Sequence, residues 1–354
     1  GRLESHERAL DLRAGTLTRD ARWTSPAGQT AQIRSVRLVS FTQRSVAAVC
    51  YEGEAIGDRS RIVVQSELVA NEPLPAAGRD PRVAAVLASP LVSEDHGTRG
   101  DTAVELAHHT AASGLRMAAA MDHVVQGPPR TLVTAESNPD TGRVTVTTVL
   151  EPGERLRIVK FLAYGWSSLR SRQALRDQVV AALTAAHQTG WDGLLAEQRE
   201  YLDAFWDHGA VELDGDLEIE QAVRFALFHI LQAGARAEGR AIPAKGLTGS
   251  GYDGHAFWDT DSFVLPLLTY TFPPAAADAL RWRHSTLPIA KERAETLGFA
   301  GAAFPWRTIA GEECSGYWPA GTAAFHVNAD VADAVVRYVD ATRDADLARH
   351  IGLE

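Results

Sequence analysis

The segment from Lys245 to Phe263 reads KGLTGSGYDGHAFWDTDSF, and the rest of the chain can be arranged around it. Four glycines lead into a dense run of aromatic and acidic side chains, and helix-like sequence flanks the segment on both sides. Glycine lets the backbone take positive φ and approach a ligand closely. Tryptophan supplies a flat apolar surface and aspartate a hydrogen-bond acceptor. This mixture favours binding of a polyhydroxylated ring over a phosphate or a nucleobase.

A second segment, from Gly298 to Gly321, repeats the same mixture of glycines, aromatic residues and acids. A long loop inside a compact domain is more often functional than incidental. The rings of Trp306 and Tyr317 can stack on sugar faces, and the carboxylates of Glu312 and Glu313 can accept sugar hydroxyl groups. Alternatively, the tryptophans only fill gaps between helices. The shared composition of the two segments favours a common binding site.

Residues 1–165 have the pattern of a β-domain. Short segments rich in β-branched and apolar residues alternate with polar positions and are separated by turn residues. The clearest of these segments are Ile33–Phe41, Val46–Tyr51, Arg61–Val69 and Arg143–Leu150. Such strands pack naturally as a sandwich. We also predict a hairpin between Val144–Val149 and Leu156–Phe161, across the turn at residues 151–154.

Helical periodicity begins after Trp166. Ser167–Ala186 and Trp191–Trp206 predict connecting helices, so residues 166–214 form a helical linker. Asp216 is a suitable N-cap for the helix that follows it.

Residues 215–354 read as helices joined by long loops. Two further helices are predicted over Ala275–Leu297 and Ala329–Thr342. Asn328 is the expected N-cap of the second of these.

Composition excludes several classes of protein. The formal net charge is −10 and 23% of the residues are charged. The chain therefore has no electrostatic signature for nucleic acid or for an acidic membrane surface. No apolar run approaches the roughly 18 residues of a membrane-spanning helix. Two distant cysteines, Cys50 and Cys314, cannot form a disulfide framework, which favours a reducing, cytoplasmic location.

No metal site is predicted. The histidines of the β-domain lack metal-ligand spacing, and adjacent residues cannot place both rings on one face of a strand or helix. These histidines are His96, His108, His109 and His123. We also predict no cofactor.

Several motifs together resemble family 65 glycoside hydrolases, which include inverting phosphorylases of maltose, trehalose and kojibiose and some acid trehalases. These motifs are Gly246–Gly249, Gly254–Asp261, Phe304–Trp306, Gly311–Cys314 and Phe325–Asn328. Leu10–Arg19 and Arg37–Ser40 extend the resemblance into the β-domain, so that it covers essentially the whole chain. It implies a multidomain β plus α protein, with an N-terminal β-sandwich, a helical linker and a partial (α/α)6 barrel.

The resemblance also implies roles for individual residues. It places Trp258 and Asp259 at the glucosyl subsite, where the Asp259 carboxylate accepts sugar hydroxyl groups. His255 and Phe257 support that wall. The positions implied at the mouth of the site and on its acceptor side are Glu312, Glu313 and His326. The stretch Ser315–Gly321, which contains Tyr317, corresponds to a region where the family varies with acceptor preference.

None of these residues is the catalytic acid. In the family that acid is a glutamate in a Pro-Asp-Glu-Tyr-His-like motif, which does not occur in this chain. The resemblance therefore predicts an internal fragment of a longer enzyme. We expect the β-domain to lack its first strands, the barrel to be truncated and the fragment alone to be inactive.

The expected reaction of the full-length parent is inverting phosphorolysis of a trehalose-type or maltose-type disaccharide, with inorganic phosphate as co-substrate. An inverting phosphorylase needs one carboxylic acid, whereas a hydrolase also needs a carboxylate base to activate water. Hydrolysis of α,α-trehalose is the alternative within the family. The resemblance also suggests that the parent is a homodimer.

Two readings from other classes stay open at this point. The chain could bind carbohydrate without cleaving it. It could instead be a helical-repeat interaction module, although residues 217–354 show no fixed period of the kind that solenoids have.

Overall fold

A computed structural model describes residues 1–72, 89–235, 237–249, 251–315 and 324–353. Within these ranges, the residues up to Asp203 form one compact unit and those from Ala204 onward form a second. We call them the β-unit and the helical unit. The strands of the β-unit are β1 (Arg2–Asp11), β2 (Thr16–Thr24), β3 (Thr30–Val39), β4 (Val46–Ile56), β5 (Ser60–Val69), β6 (Leu91–Arg99), β7 (Ala103–Thr110), β8 (Arg116–Gln126), β9 (Leu132–Asn138), β10 (Thr141–Leu150) and β11 (Arg155–Ser167).

The described strands of the β-unit form two antiparallel sheets. The larger has the strand order β1-β2-β3-β4-β11-β8-β7-β6, and the smaller has the order β5-β10-β9. Alternate residues of β10 are buried, as expected for a strand with one face on a core. Val144 and Val146 of the small sheet share a buried cluster with Val104 and Met121 of the large sheet. The predicted layering of one sheet on another is therefore present over the small sheet.

The predicted hairpin between the two segments around residues 151–154 is wrong. β10 pairs with β5 and β9, whereas β11 pairs with β4 and β8. The turn between β10 and β11 carries the chain from one sheet to the other. The actual hairpin joins β9 to β10 through Pro139 and Asp140, with Asn138 opposite Thr141. Placed in different sheets, β10 and β11 both contribute buried side chains to the cluster between the sheets, among them Val146 and Ile158.

A long helix, α1 (Arg172–Gly209), follows the last strand. Gly190 interrupts it with φ 69° and ψ 173°, where the sequence pattern also separates two helical stretches. Leu175, Val179 and Leu183 of α1 pack in a second buried cluster with Val159 and Phe161 of β11. The centre of the large sheet is therefore covered by apolar contacts on both faces.

The helical unit contains α2 (Leu217–Gly234), α3 (Leu265–Thr271), α4 (Pro273–Ser285), α5 (Leu287–Thr296), α6 (His326–Thr342) and the short α7 (Ala345–Leu347). Its buried cluster includes Leu268 of α3, Leu280 of α4 and Tyr338 of α6. In the β-unit, the predicted antiparallel domain that precedes these helices is confirmed. The partial barrel and the three-part division at residues 165 and 214 stay predictions.

The predicted helix ends are partly confirmed. The Asp216 carboxylate accepts hydrogen bonds from the backbone N–H groups of Glu218 and Ile219, and it caps α2 as expected. The predicted helix over Ala275–Leu297 is two helices, because α4 ends at Ser285 and α5 begins at Leu287 with a proline in its first turn.

The predicted N-cap role of Asn328 is wrong, because α6 begins two residues earlier, at His326. The Asn328 side chain instead accepts from the N–H of Phe304 at 3.0 Å and donates to the carbonyl of Ala302. These hydrogen bonds connect α6 to the segment from Gly298 to Gly321, which we call the second aromatic segment. The first aromatic segment is the one from Lys245 to Phe263.

Both cysteines are free, Cys50 buried and Cys314 exposed. Over the described ranges, no helix has the length and apolar character needed to cross a bilayer. The same ranges contain no group of three or more histidine, cysteine, aspartate or glutamate residues arranged to hold a metal ion.

Candidate carbohydrate site

The two aromatic segments lie against each other in the helical unit. A two-residue ladder joins β12 (Ala256–Phe257) to β13 (Arg307–Thr308), with Phe257 opposite Arg307. The backbone N–H of Trp258 donates to the carbonyl of Trp306 at 3.3 Å. The tertiary structure therefore brings together two segments that are about fifty positions apart in the printed sequence.

Trp258, Trp306 and His326 form one aromatic cluster. The ring centroids of Trp258 and Trp306 are 5.5 Å apart, and the His326 ring lies 4.6 Å from the first and 5.6 Å from the second. Both tryptophans are half-buried and His326 is exposed. The Nδ1 atom of His326 lies 2.8 Å from a carboxylate oxygen of Asp330, one turn along α6. Three predicted site residues are thus in contact.

Asp259 follows Trp258 directly, between β12 and the turn Thr260–Val264, and we call Trp258 and Asp259 together the tip. Its side chain is exposed, and it makes no capping hydrogen bond to the π-helical turn Thr260–Val264 that begins beside it. The indole Nε1 of Trp258 is buried and has no hydrogen-bond partner among the described residues. An exposed carboxylate next to a half-buried indole ring can accept hydroxyl groups of a sugar that packs on that ring.

His255 and Phe257 are held by Arg307, which the sequence prediction missed. An Nη2 atom of Arg307 lies 3.1 Å from His255 Nδ1 and 3.3 Å from the carbonyl of Tyr252. The guanidinium also lies 5.5 Å from the centre of the Phe257 ring. Tyr252 and Asp253 have positive φ of 58° and 53°, which is uncommon for residues other than glycine. The arginine therefore stabilises an unusual turn below the aromatic cluster.

The two glutamates of the second segment differ. Glu312 is exposed, whereas Glu313 is largely buried. One Glu313 oxygen accepts from the backbone N–H of Trp306 at 2.7 Å and the other from that of Ser315 at 2.8 Å. Arg293 Nη2 lies 3.4 Å from the same carboxylate. Glu313 thus holds the backbone of its own loop, and a contact with substrate stays a prediction for both glutamates.

Tyr317 lies outside the described residues, so its predicted role is not addressed by the structure.

A buried ion pair between Asp261 and Arg283 is the other feature that the sequence prediction missed. Asp261 appears in the first segment, but Arg283 is 22 positions away and carries no local signal. Burial raises the pKa of the Asp261 carboxyl above its ordinary value, and the neighbouring Arg283 guanidinium opposes that rise.

Both parts of the chain match domains of a known protein family. Residues 1–205 match the glycosyl hydrolase family 65 N-terminal domain, and residues 224–354 match the glycosyl hydrolase family 65 central catalytic domain. The chain belongs to glycosyl hydrolase family 65. The resemblance drawn from the sequence motifs is confirmed.

Relatives match along the whole chain. An uncharacterized glycosyl hydrolase of Mycobacterium tuberculosis is 61% identical over 353 residues, which is 100% of this chain and 45% of that protein. An alpha,alpha-trehalose phosphorylase of Thermoanaerobacter brockii is 33% identical over 100% of this chain and 46% of its own length. A kojibiose phosphorylase of Escherichia coli is 28% identical over 99% of this chain and 47% of its own length. This family 65 chain therefore spans less than half the length of these relatives.

A solved structure named "Putative kojibiose phosphorylase from human microbiome" has the same fold. It superposes with a TM-score of 0.87 at 23% identity, covering 99% of this chain and 45% of its own. At this identity the likeness supports the fold alone.

Proposed function

We propose that the whole protein containing this chain is a phosphorylase of an α-glucosidic disaccharide of the trehalose or maltose type, with trehalose favoured. It uses inorganic phosphate and releases β-glucose 1-phosphate and glucose. The observation that carries this proposal is the Trp258–Asp259 tip beside Trp306, because it offers a flat ring surface and an exposed carboxylate that does not cap the adjacent turn. The 33% identity with trehalose phosphorylases along the whole chain supports the choice of substrate.

In this proposal Trp258 and Asp259 hold the glucosyl ring at the bond to be cleaved. A phosphate oxygen attacks the anomeric carbon from the face opposite the glycosidic bond. That bond breaks as a carboxylic acid donates its proton to the departing sugar oxygen, so one acid is sufficient. The catalytic acid is not among the residues that we assign here. His326 lies on the side where the acceptor sugar would leave.

The remaining expectations are part of the same proposal. Residues 215–354 would form the first part of an (α/α)6 barrel that presents the tip at its mouth. The whole protein would act in the cytoplasm as a homodimer. His255, Phe257, Glu312 and Tyr317 would complete the walls of the sugar site.

The test is an assay of the whole protein with trehalose, maltose and kojibiose, each with and without phosphate. Product is followed by proton and phosphorus NMR, which identify β-glucose 1-phosphate and its anomeric configuration. We expect phosphate-dependent product from trehalose. Glucose release that does not need phosphate would show that the reaction is hydrolysis and not phosphorolysis.

Sugar-induced changes in tryptophan fluorescence without any turnover would show that the protein binds carbohydrate but does not cleave it. Trp258→Phe is the matched variant for that measurement. It should abolish the fluorescence change if the cluster is the binding site.

A further inference from the structure

The tip residues Trp258 and Asp259 are close in sequence to Asp261, which forms a buried ion pair with Arg283 in the helical unit. The side chains of Asp261 and Arg283 are each only 3% exposed. Arg283 Nη2 donates to one Asp261 oxygen, and its Nε donates to the other at 3.3 Å. This two-point contact fixes the rotation of the carboxylate as well as its distance, because the guanidinium is a planar fork.

The pair is coupled to the tip through the backbone. The N–H of Asp261 donates to the carbonyl of Trp258 at 2.9 Å, closing the turn that contains Asp259. The following π-helical turn, Thr260–Val264, is a rare conformation that occurs often at functional sites. Because Asp261 belongs to this turn, an ion pair that fixes its side chain also restrains the backbone that carries Trp258 and Asp259.

Arg283 also reaches the second aromatic segment. Its guanidinium lies 5.9 Å from the centre of the Phe304 ring, two residues before Trp306. The Phe304 backbone is held separately by Asn328. One arginine on α4 thus contacts both segments whose tryptophans form the cluster.

Stability alone is a poor explanation for the pair. Removing two charges from water costs free energy that their mutual attraction recovers only with near-ideal geometry and full hydrogen bonding. Here the Nη1 atom of Arg283 is buried with no partner among the described residues. An apolar pair of similar volume would fill the same space without this cost. The orientation that the ion pair imposes is what an apolar pair cannot supply.

We propose that Asp261 and Arg283 are positioning residues that set the orientation of Trp258 and Asp259 towards the glucosyl ring. This inference rests on the proposed function of the tip. Neither residue touches the sugar in this scheme. Their effect is transmitted by the turn from Trp258 to Asp261 and by the contact with Phe304.

The experiment compares Asp261→Asn and Arg283→Lys in the whole protein with a destabilised control. Asn keeps the shape of Asp but loses the charge, and Lys keeps the charge of Arg but loses the fork. The control is Leu231→Ala, a fully buried apolar residue of α2 that we assign no part in the site. All variants are measured well below their unfolding temperatures, so that each is folded during the assay.

Two readouts separate positioning from a merely structural role. The first is kcat/KM for the disaccharide, compared with the unfolding temperature of the same variant. We expect both pair variants to lower kcat/KM by about tenfold or more, as misplacement of a binding group does. Leu231→Ala should leave kcat/KM unchanged even though its unfolding temperature falls.

The second readout needs no activity. The coupling of the Trp258 and Trp306 indoles contributes to the circular dichroism, and the difference between wild type and Trp306→Phe isolates that contribution. We expect Asp261→Asn and Arg283→Lys to reduce it and Leu231→Ala to preserve it. If the wild-type protein turns over no disaccharide, the proposed function fails, and the dichroism still answers the question of positioning.

Wild-type indole coupling in both folded pair variants would overturn the proposal, because the tip would then keep its orientation without the ion pair. A fall in kcat/KM for Leu231→Ala equal to that of the pair variants would overturn it as well. If Asp261→Asn does not fold, Arg283→Lys decides the outcome on the same readouts.

Discussion

Two buried polar groups, one in the β-unit and one in the helical unit, differ in their hydrogen bonding. In the β-unit, both ring nitrogens of the buried His123 are within hydrogen-bond distance of partners, at 2.7 Å from the Thr102 carbonyl and 2.8 Å from Ser66 Oγ. In the helical unit, the buried Nε1 of Trp258 has no partner among the described residues, and the adjacent Asp259 is exposed. A satisfied polar group contributes to one unique fold. The exposed Asp259 carboxylate, by contrast, is accessible to a ligand.

Backbone conformation also differs between the strands of the β-unit and the candidate site. The strands of the β-unit run in regular antiparallel ladders, with register shifts only in β1 and β6 over the described pairs. The candidate site combines positive φ at Tyr252 and Asp253 with a π-helical turn at Thr260–Val264. Unusual conformations of this kind cluster at ligand sites, where the surrounding structure maintains them. The comparison predicts that changes in the β-unit alter stability and changes at the tip alter binding.

The largest expected effect is on the core of the β-unit. Leu156 of β11 is fully buried in the cluster between the two sheets. Leu156→Ala should lower the free energy of unfolding by about 3 kcal/mol, because it removes apolar contacts and leaves a cavity. Urea denaturation measures the change. Leu169→Ala, at a residue that is 94% exposed, is the control and should change little.

Sugar-dependent tryptophan fluorescence should survive Leu156→Ala below its unfolding transition. Its complete loss in the folded variant would break the proposed separation between core and site.

A pH effect of similar size is expected from His123. Burial lowers the pKa of its imidazole to about 4, from an ordinary value of 6.5. Between these values the unfolded chain binds a proton that the folded β-unit excludes. This contribution to stability is therefore complete above pH 6.5 and is lost as the pH falls towards 4. The total is about 3 kcal/mol.

Denaturation curves collected across this pH range test the assignment. His123→Gln should be less stable at neutral pH but should show a flatter pH dependence. An unchanged slope in that variant would assign the titration to another group.

At the tip, Asp259→Asn should weaken sugar binding without loss of stability. The carboxylate is exposed and does not cap the turn beside it, so the fold does not depend on its charge. A charge-assisted hydrogen bond is worth about 2 kcal/mol, which corresponds to roughly 30-fold in affinity. Fluorescence titration with glucose or trehalose, together with thermal unfolding, makes the measurement. Glu312→Gln, at an exposed carboxylate of the neighbouring loop, is a matched comparison with a smaller expected effect.

The smallest predicted effect concerns the helix cap of α2. Asp216→Ala removes the acceptor for two backbone N–H groups and should cost about 1 kcal/mol. Asp214→Ala in the preceding exposed turn is the control. Equal loss for both variants would show that the charge near the helix end, and not the cap, carries the effect.

Local patterns account for much of the fold. The alternation of apolar and polar residues located the strands, since the four segments singled out from the sequence all lie within β3, β4, β5 and β10, apart from two residues at the end of the first. Helical periodicity and the Asp216 cap located α1 and α2, and the gap in that periodicity coincides with Gly190. These features depend on residues within a few positions of each other, so a single sequence displays them.

The errors arise where partners are distant along the chain. In the small sheet, β10 places Val144 in the same buried cluster as Val104 of the large sheet. The turn residues before β11 do not indicate this long-range contact. Asn328 resembles an N-cap locally, but hydrogen bonds to Ala302 and Phe304 occupy its side chain. Competition between a local partner and a distant one is decided only when the chain is packed.

The candidate site divides in the same way. Residue chemistry alone identified Trp258, Asp259 and Trp306, because aromatic rings and carboxylates beside glycines suit a sugar whatever their arrangement. The family resemblance added His326. Contact between them, the support of the turn by Arg307 and the Asp261–Arg283 pair came from tertiary structure only. Side-chain type specifies what a group can bind, whereas orientation and burial depend on neighbours that the order of residues does not reveal.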